Sequence, residues 1–350
     1  MIASRKLTRR DFTKLCAGST AALGMALFKF PEFENLFVSS LKEVPIIWIQ
    51  GGSDSGCSVS MINAFKPTIQ DLLLTAVVPG NHVNLRFHQT LMAGQGDVAM
   101  QALESAASKG GYVLVVEGSV STKDGGIYCT LGEKNNVGIP FLDHLLELAP
   151  DAVAVINLGT CSSFGGIPAA KPNPTGCKPV MDILAENNID TPVINLPGCP
   201  PHPDWFIGTV ASILIGGLDS VEVDDLKRPT AFYGKTIHDQ CPRRGQFEAG
   251  EFATKLSEPY CLYKLGCKGP VTYADCSDRL WNNKTRWCVE ANAPCAGCAH
   301  PGFPDEISPL YQGLDLMKDI NKVAIGVGAA VVLGAGTYFL GKQMGKKLKK

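Results

Sequence analysis

Between residues 44 and 217, short apolar runs alternate with longer stretches of helical period. Residues 44–50 (VPIIWIQ), 111–118 (GYVLVVEG), 151–159 (DAVAVINLG) and 191–198 (TPVINLPG) read as buried strands, most of them closing on a Gly-rich or Pro-rich turn. Residues 141–149 (FLDHLLELA), 178–188 (KPVMDILAENN) and 204–217 (DWFIGTVASILIGG) read as helices between or after them. Strands alternating with helices predict an α/β domain built on a doubly wound parallel sheet. After Asp219 the pattern dissolves: Pro, Gly and Cys increase and no long helical period survives. The expected organisation is an export segment over 1–40, an α/β domain over 41–219, a small irregular domain over 220–315, and an anchor with a basic tail over 320–350.

Both ends carry membrane-directed patterns. Twin arginines, Arg9 and Arg10, precede a mildly apolar run over 15–28. That is the form of a twin-arginine export signal; the bland alternative is a basic amphipathic start. Residues 323–341 hold no charge, and at about 1.5 Å per residue such a helix spans roughly the hydrocarbon thickness. Lys342, Lys346, Lys347, Lys349 and Lys350 follow, which predicts a cytoplasmic tail and a main domain on the outer, periplasmic or extracytoplasmic, face. A buried helix of a soluble core would not need that lysine-rich end.

The net charge of −1 gives no basic face, so no nucleic-acid partner is expected. Thirteen cysteines change the picture. They imply either export with disulfides or metal ligation, and an odd count weakens a pure disulfide scheme. Cys57, Cys161 and Cys199 each fall just past the carboxyl end of a predicted strand, the edge where open parallel sheets bind ligands. Three thiolates there could supply most of an iron–sulfur cluster, which normally takes four ligands. Glu117 ends another strand, as a polar neighbour of that crevice or as a solvated loop carboxylate. The Gly-rich run at 51–56 lacks a phosphate-loop or dinucleotide pattern.

From His238 to Cys298 come His238, Cys241, Cys261, Cys267, Cys276, Cys288, Cys295 and Cys298, enough for two sets of four. A region short of apolar helices needs an internal staple. Clusters, structural zinc and disulfides all remain open on spacing alone.

Eight phrases in order carry a resemblance: WIQG with SGCS, VEGSV, LGTCSSFGG, KPNPTG, LPGCPPHPDW, IHDQCPRR, CLYKLGCKGP and PCAGC with PGFPD. The chain resembles the small, electron-transferring subunit of nickel–iron hydrogenases in its exported, membrane-anchored form. The resemblance implies a flavodoxin-like first domain with a proximal cluster and a second domain with medial and distal clusters. By motif, Cys57, Cys161 and Cys199 would bind the proximal cluster. His238, Cys241, Cys261 and Cys267 would bind the distal one, and Cys276, Cys295 and Cys298 match the medial ligands.

The chain departs from the family pattern at two ligand positions. Cys288 stands where many members have proline and a three-iron medial cluster, so a fourth thiolate and a 4Fe–4S cluster are expected. Asp54 stands where the family usually has the first proximal cysteine. It is expected to be the fourth proximal ligand; the alternative is a three-ligand cluster, with Asp54 capping a helix that starts near Gly56. Val59 replaces a usual glutamate. Cys129 and Cys177 read as structural, and a disulfide between them has no support.

The reading that results is a hydrogenase subunit with three iron–sulfur clusters, all 4Fe–4S. It would relay electrons from dihydrogen oxidation on a nickel–iron large subunit to a membrane acceptor, a cytochrome b or other quinone-linked subunit. No residue of this chain is expected to be catalytic. The alternatives are an iron–sulfur subunit of another respiratory oxidoreductase and a non-redox exported protein stapled by zinc or disulfides.

Overall fold

The computed structural model describes residues 42–307, apart from 66, 69, 70 and 72–80. The expected export segment over 1–40 and the expected span over 323–341 lie outside the described residues. Among the described residues, no helix is long and apolar enough to cross a membrane.

Five strands form one parallel sheet: β1 (Lys42–Gln50), β2 (Asn81–His88), β3 (Tyr112–Glu117), β4 (Ala152–Leu158) and β5 (Val193–Leu196), in the order β2-β1-β3-β4-β5. Side chains alternate faces along a strand, so near-continuous apolar runs need cover on both sides. Ile46, Trp48, Val113, Val115, Ile156, Leu158, Ile194 and Leu196 point into one core. Ile47, Ile49, Leu114, Val116 and Val155 point into the other. Helices α2 (Asp97–Ala107), α3 (Phe141–Leu148) and α5 (Val180–Glu186) cover the second face. Helices α1 (Gly56–Ile62) and α6 (Pro203–Gly216) cover the first, and α4 (Thr160–Phe164) follows β4.

The parallel-sheet expectation holds for all four strands read from the sequence. The edge strand β2 and helix α2 are additions. NHVNLRFH alternates Val83, Leu85 and Phe87 with polar residues, a half-buried pattern less visible than a continuous apolar run. Among the described residues beyond α6 the helices are turns of at most five residues, among them Thr230–Tyr233, Arg244–Glu248 and Cys276–Arg279. This irregular region does not stand apart from the sheet. Phe232, Tyr233, Ile237, Leu262, Ala274 and Trp287 belong to the same core as Trp48 and Trp205. All described residues fall in one compact unit.

Candidate functional site

Strand register brings the first set of donors together. Gln50 pairs with Glu117, Glu117 with Leu158, and Leu158 with Leu196, so the carboxyl ends of four strands form one row. The loops leaving that row carry Asp54 and Cys57, then Cys161, then Cys199. The backbone is drawn tight around the sulfurs. At Gly159 (φ 101°) a Cβ would stand 2.7 Å from the Cys57 sulfur, and at Gly166 (φ 55°) one would stand 2.9 Å from that of Cys161. Glycine is needed at both positions for space as well as for conformation.

Burial pushes the Cys57 thiol well up, with the negative charges of Glu117, Cys161, Cys199 and Asp54 adding to it. Cys161 is pushed up to about 12, first by burial and then by Cys199. Four anionic groups gathered this closely need a compensating cation to ionise together.

Glu117 is fully buried and anchors the Cys57 loop. Its Oε1 accepts the backbone N–H groups of Cys57 (3.0 Å) and Ser58 (3.2 Å), the first turn of α1. Its Oε2 accepts from Trp48 Nε1 (3.1 Å), Gln50 Nε2 (3.0 Å) and Ser58 Oγ (2.5 Å). The solvated-loop alternative for Glu117 is therefore excluded. His88, also fully buried, completes the network. Its Nδ1 accepts from the amides of Thr90 (3.1 Å) and Leu91 (3.2 Å), which leaves Nε2–H to donate to Ser58 Oγ at 3.1 Å. Burial lowers the His88 pKa to about 4, consistent with that neutral tautomer.

Asp54 is exposed, and its Oδ1 accepts the Gly56 N–H at 2.7 Å. Its charge also raises Cys57, Cys161 and Cys199 together. The carboxylate thus both turns the backbone into α1 and neighbours all three thiols.

His238, Cys241, Cys261 and Cys267 line one cavity, with Arg243, Tyr263 and Trp287 on the same wall. The His238 ring meets the Phe247 ring edge-on at 4.5 Å, and burial, then Arg244, lower its pKa. The backbone N–H of Arg243 donates to Cys241 Sγ at 3.4 Å. All three thiols are raised by burial and partly offset by backbone amides.

Cys276, Cys288, Cys295 and Cys298 form the third set. Burial raises each of them, and each also takes part in at least one charge interaction within the set. Asp275, which accepts from Trp205 Nε1 at 2.7 Å and from Arg279, fixes the turn that presents Cys276. The next residue, Ser277, is buried and its Oγ has no partner among the described residues.

The three sets are linked in series. Thr160, next to Cys161, accepts the Gly198 N–H at 2.9 Å and donates to the carbonyl of Cys298. The backbone N–H of Cys295 donates to Cys267 Sγ at 3.4 Å. All twelve described cysteines are free thiols, Cys129 and Cys177 included. Among the described residues no three His, Cys, Asp or Glu side chains close on a single metal ion. The donor chemistry nonetheless fits iron–sulfur groups: soft thiolates in sets of three or four, tight glycines, and bare buried donors at Ser277 and Trp287. A separate cavity of about 250 Å³, lined by Phe65, His202, Arg279 and Trp281, holds none of these ligand candidates.

Comparison with known proteins bears on the partner of these sets. Residues 233–311 match the family described as the C-terminal part of the NiFe/NiFeSe hydrogenase small subunit. Residues 55–213 match that described as NADH ubiquinone oxidoreductase, 20 Kd subunit. The periplasmic [NiFeSe] hydrogenase small subunit of Desulfomicrobium baculatum is 41% identical over 317 residues, covering 87% of this chain and 98% of that relative. The chain belongs to the nickel–iron hydrogenase small-subunit family. The quinone-reactive Ni/Fe-hydrogenase small chain of Wolinella succinogenes is 35% identical, with 97% of this chain and 96% of that relative covered. A solved structure of the Dm. baculatum [NiFeSe] hydrogenase superposes with a TM-score of 0.73 at 42% identity, covering 78% of this chain and all of the matched chain. As a hydrogenase small subunit, the chain has its catalytic metal site on the large subunit.

Some residues of this small subunit's site were not singled out by sequence reasoning. His88 lay in the unrecognised strand, where the alternation of NHVNLRFH was the available signal. Lys268 is 2% exposed; burial lowers its pKa, partly opposed by the charges of Cys267 and Cys295. Its position beside Cys267 was visible; its burial was not.

Proposed function

We propose that this chain is the electron-transfer subunit of an uptake nickel–iron hydrogenase, relaying electrons from dihydrogen oxidation on the large subunit to a membrane respiratory acceptor. The observation that carries the reading is the linkage of three donor sets through Thr160 and through the Cys295–Cys267 contact. Asp54, Cys57, Cys161 and Cys199 hold the proximal group. Cys276, Cys288, Cys295 and Cys298 hold the medial group, and His238, Cys241, Cys261 and Cys267 the distal one. Each group would be 4Fe–4S and would supply one-electron transfer between the proximal and distal sets.

The protein's own part is positional and electrostatic. Glu117 fixes the Cys57 turn, Thr160 ties the proximal loops to Cys298, and Phe247 seats the His238 ring. A neutral imidazole in place of one thiolate leaves the distal site less negative and raises its potential. Strand order supports a flavodoxin-like first domain, 41–219, followed by the cluster domain, 220–315. The twin-arginine segment and the uncharged run before the lysines support export and a single-pass anchor facing a cytochrome b or other quinone-linked subunit.

The test is metal analysis of the solubilised native complex with a dihydrogen-dependent dye-reduction assay on the same sample. About twelve irons per chain with matching sulfide, nickel on the co-purifying subunit, and activity are expected. Iron without nickel or activity would move the chain to another respiratory oxidoreductase, a reading favoured only by the match over residues 55–213. A colourless protein carrying zinc alone would overturn the proposal.

A further inference from the structure

Trp287 stands between two of the donor sets. It is 3% exposed, it lines the distal cavity, and the next residue in the chain is Cys288 of the medial set. Among the described residues its Nε1–H has no hydrogen-bond partner. Buried indole N–H groups ordinarily find an acceptor, and an orphan in a native fold calls for an unseen one. The cavity wall around it is largely apolar apart from the ligand candidates, with Ile237, Leu262, Pro270 and Val289 among its residues. Two other donors at this site already reach a sulfur: the amide of Arg243 at Cys241 and the amide of Cys295 at Cys267. The missing acceptor for the indole is of the same kind.

We propose that Trp287 donates its Nε1–H to a sulfur of the iron–sulfur group held in the distal cavity, and so acts as a positioning residue that tunes that site. The inference rests on the reading that the distal set holds such a group. A hydrogen bond to a cluster sulfur stabilises the more negative, reduced form and raises the potential. Trp287 therefore works in the same direction as His238, keeping the distal site the favourable end of the relay. Its position before Cys288 also couples any shift of the indole to the medial set.

The test uses the intact complex with its large subunit, as wild type and as Trp287→Phe, with iron counted in both. In an EPR-monitored redox titration the variant should keep its iron. Its distal site should become about tenfold harder to reduce, which is about 59 mV downward for one electron. Wild type labelled with ¹⁵N-indole should show a weak nitrogen coupling in the reduced distal signal, and the coupling should vanish in the variant. An unmoved distal potential at full iron content, or no indole coupling in the wild type, would overturn the proposal. Should the variant lose iron, the coupling in the unaltered protein decides alone. A wild type with no distal iron–sulfur signal would instead sink the parent reading, so the two failures are distinguishable.

Discussion

The backbone N–H of Cys295 donates to the sulfur of Cys267 at 3.4 Å, so two of the donor sets are in direct contact. The same loop closure appears in the bond from the Lys268 amide to the Cys295 carbonyl at 2.8 Å. Residues 267–268 and 295 therefore form one rigid crossing point rather than two independent loops. At the other end Thr160 plays the equivalent part, its hydroxyl joining Gly198 to Cys298. The separation between sets is thus built into backbone groups and the short side chains of Thr160 and Cys267, with no long side chain involved.

Replacing Thr160 by Val should break that tie. The hydroxyl is buried and satisfies the Gly198 amide. Its loss should destabilise the chain by about 1–3 kcal/mol, the cost of leaving a buried donor bare. Thr160→Ser keeps the hydroxyl and should recover most of the loss. Urea unfolding of the complex, followed by tryptophan fluorescence, gives the comparison.

The sheet and the cysteine groups could be read from the sequence because both are written in local pattern. Continuous apolar runs such as YVLVVE name buried strands, and Cys57, Cys161 and Cys199 follow strand ends within one short loop. What could not be read depends on contacts distant in the chain. Glu117 reaches Cys57 sixty residues away, and only the pairing of Gln50 with Glu117 explains how. His88 belongs to an edge strand whose polar alternation resembles loop. Trp287 reads as one more core aromatic until its N–H is found without a partner.

Glu117→Ala should be among the most damaging single changes near the proximal set. Five donors converge on the carboxylate, including two backbone amides of α1. Removing it leaves several of them buried and unpaired, a loss of about 3 kcal/mol or more. Glu117→Gln keeps the volume but offers donors where Trp48 and Gln50 already donate, so it should fall between the two. Thermal unfolding of the complex ranks the three forms, and equal melting of wild type and Ala would refute the anchoring role.

His202 predicts an acid-side loss of stability. Its Nδ1 caps α6 by accepting the Asp204 amide at 3.1 Å, and its Nε2–H donates to the Leu280 carbonyl at 2.8 Å. Burial, then Arg279, lower its pKa to about 3. Below the unfolded value near 6.5 the unfolded chain binds a proton that the native chain does not. Stability should therefore fall as pH falls from about 6 toward 3, by about 1.4 kcal/mol per unit from this group. His202→Asn retains a capping oxygen without the titration. The stability difference between wild type and variant should shrink from pH 7.5 to pH 5.5 in urea titrations; a constant difference would contradict the buried neutral state.

If Cys288 ligates as proposed, it sets the type of the medial group. With four thiolates available, the oxidised complex should lack a three-iron EPR signal from the medial site. Cys288→Pro should produce that signal, lower iron by about one per chain and raise the medial potential, since one thiolate charge is removed. A strong three-iron signal in the unaltered protein would show that Cys288 does not ligate.

Asp54 has two candidate roles, and a pair of substitutions separates them. Its Oδ1 takes the Gly56 amide, which is a backbone-turning role, while its charge sits beside three thiols, which is a ligand's place. Asp54→Asn keeps the acceptor for Gly56 but removes the anionic oxygen that iron would bind. Asp54→Ala removes both. If Asp54 ligates, the Asn and Ala variants should alter the proximal EPR signal alike and lose proximal iron, and Asp54→Cys should retain it. If it only turns the backbone, Asn should match wild type and Ala should cost about 1 kcal/mol of stability with its proximal signal intact. We expect the first outcome, because one carboxylate oxygen remains beyond the bond to Gly56 and the charge of Asp54 acts on Cys57, Cys161 and Cys199 alike.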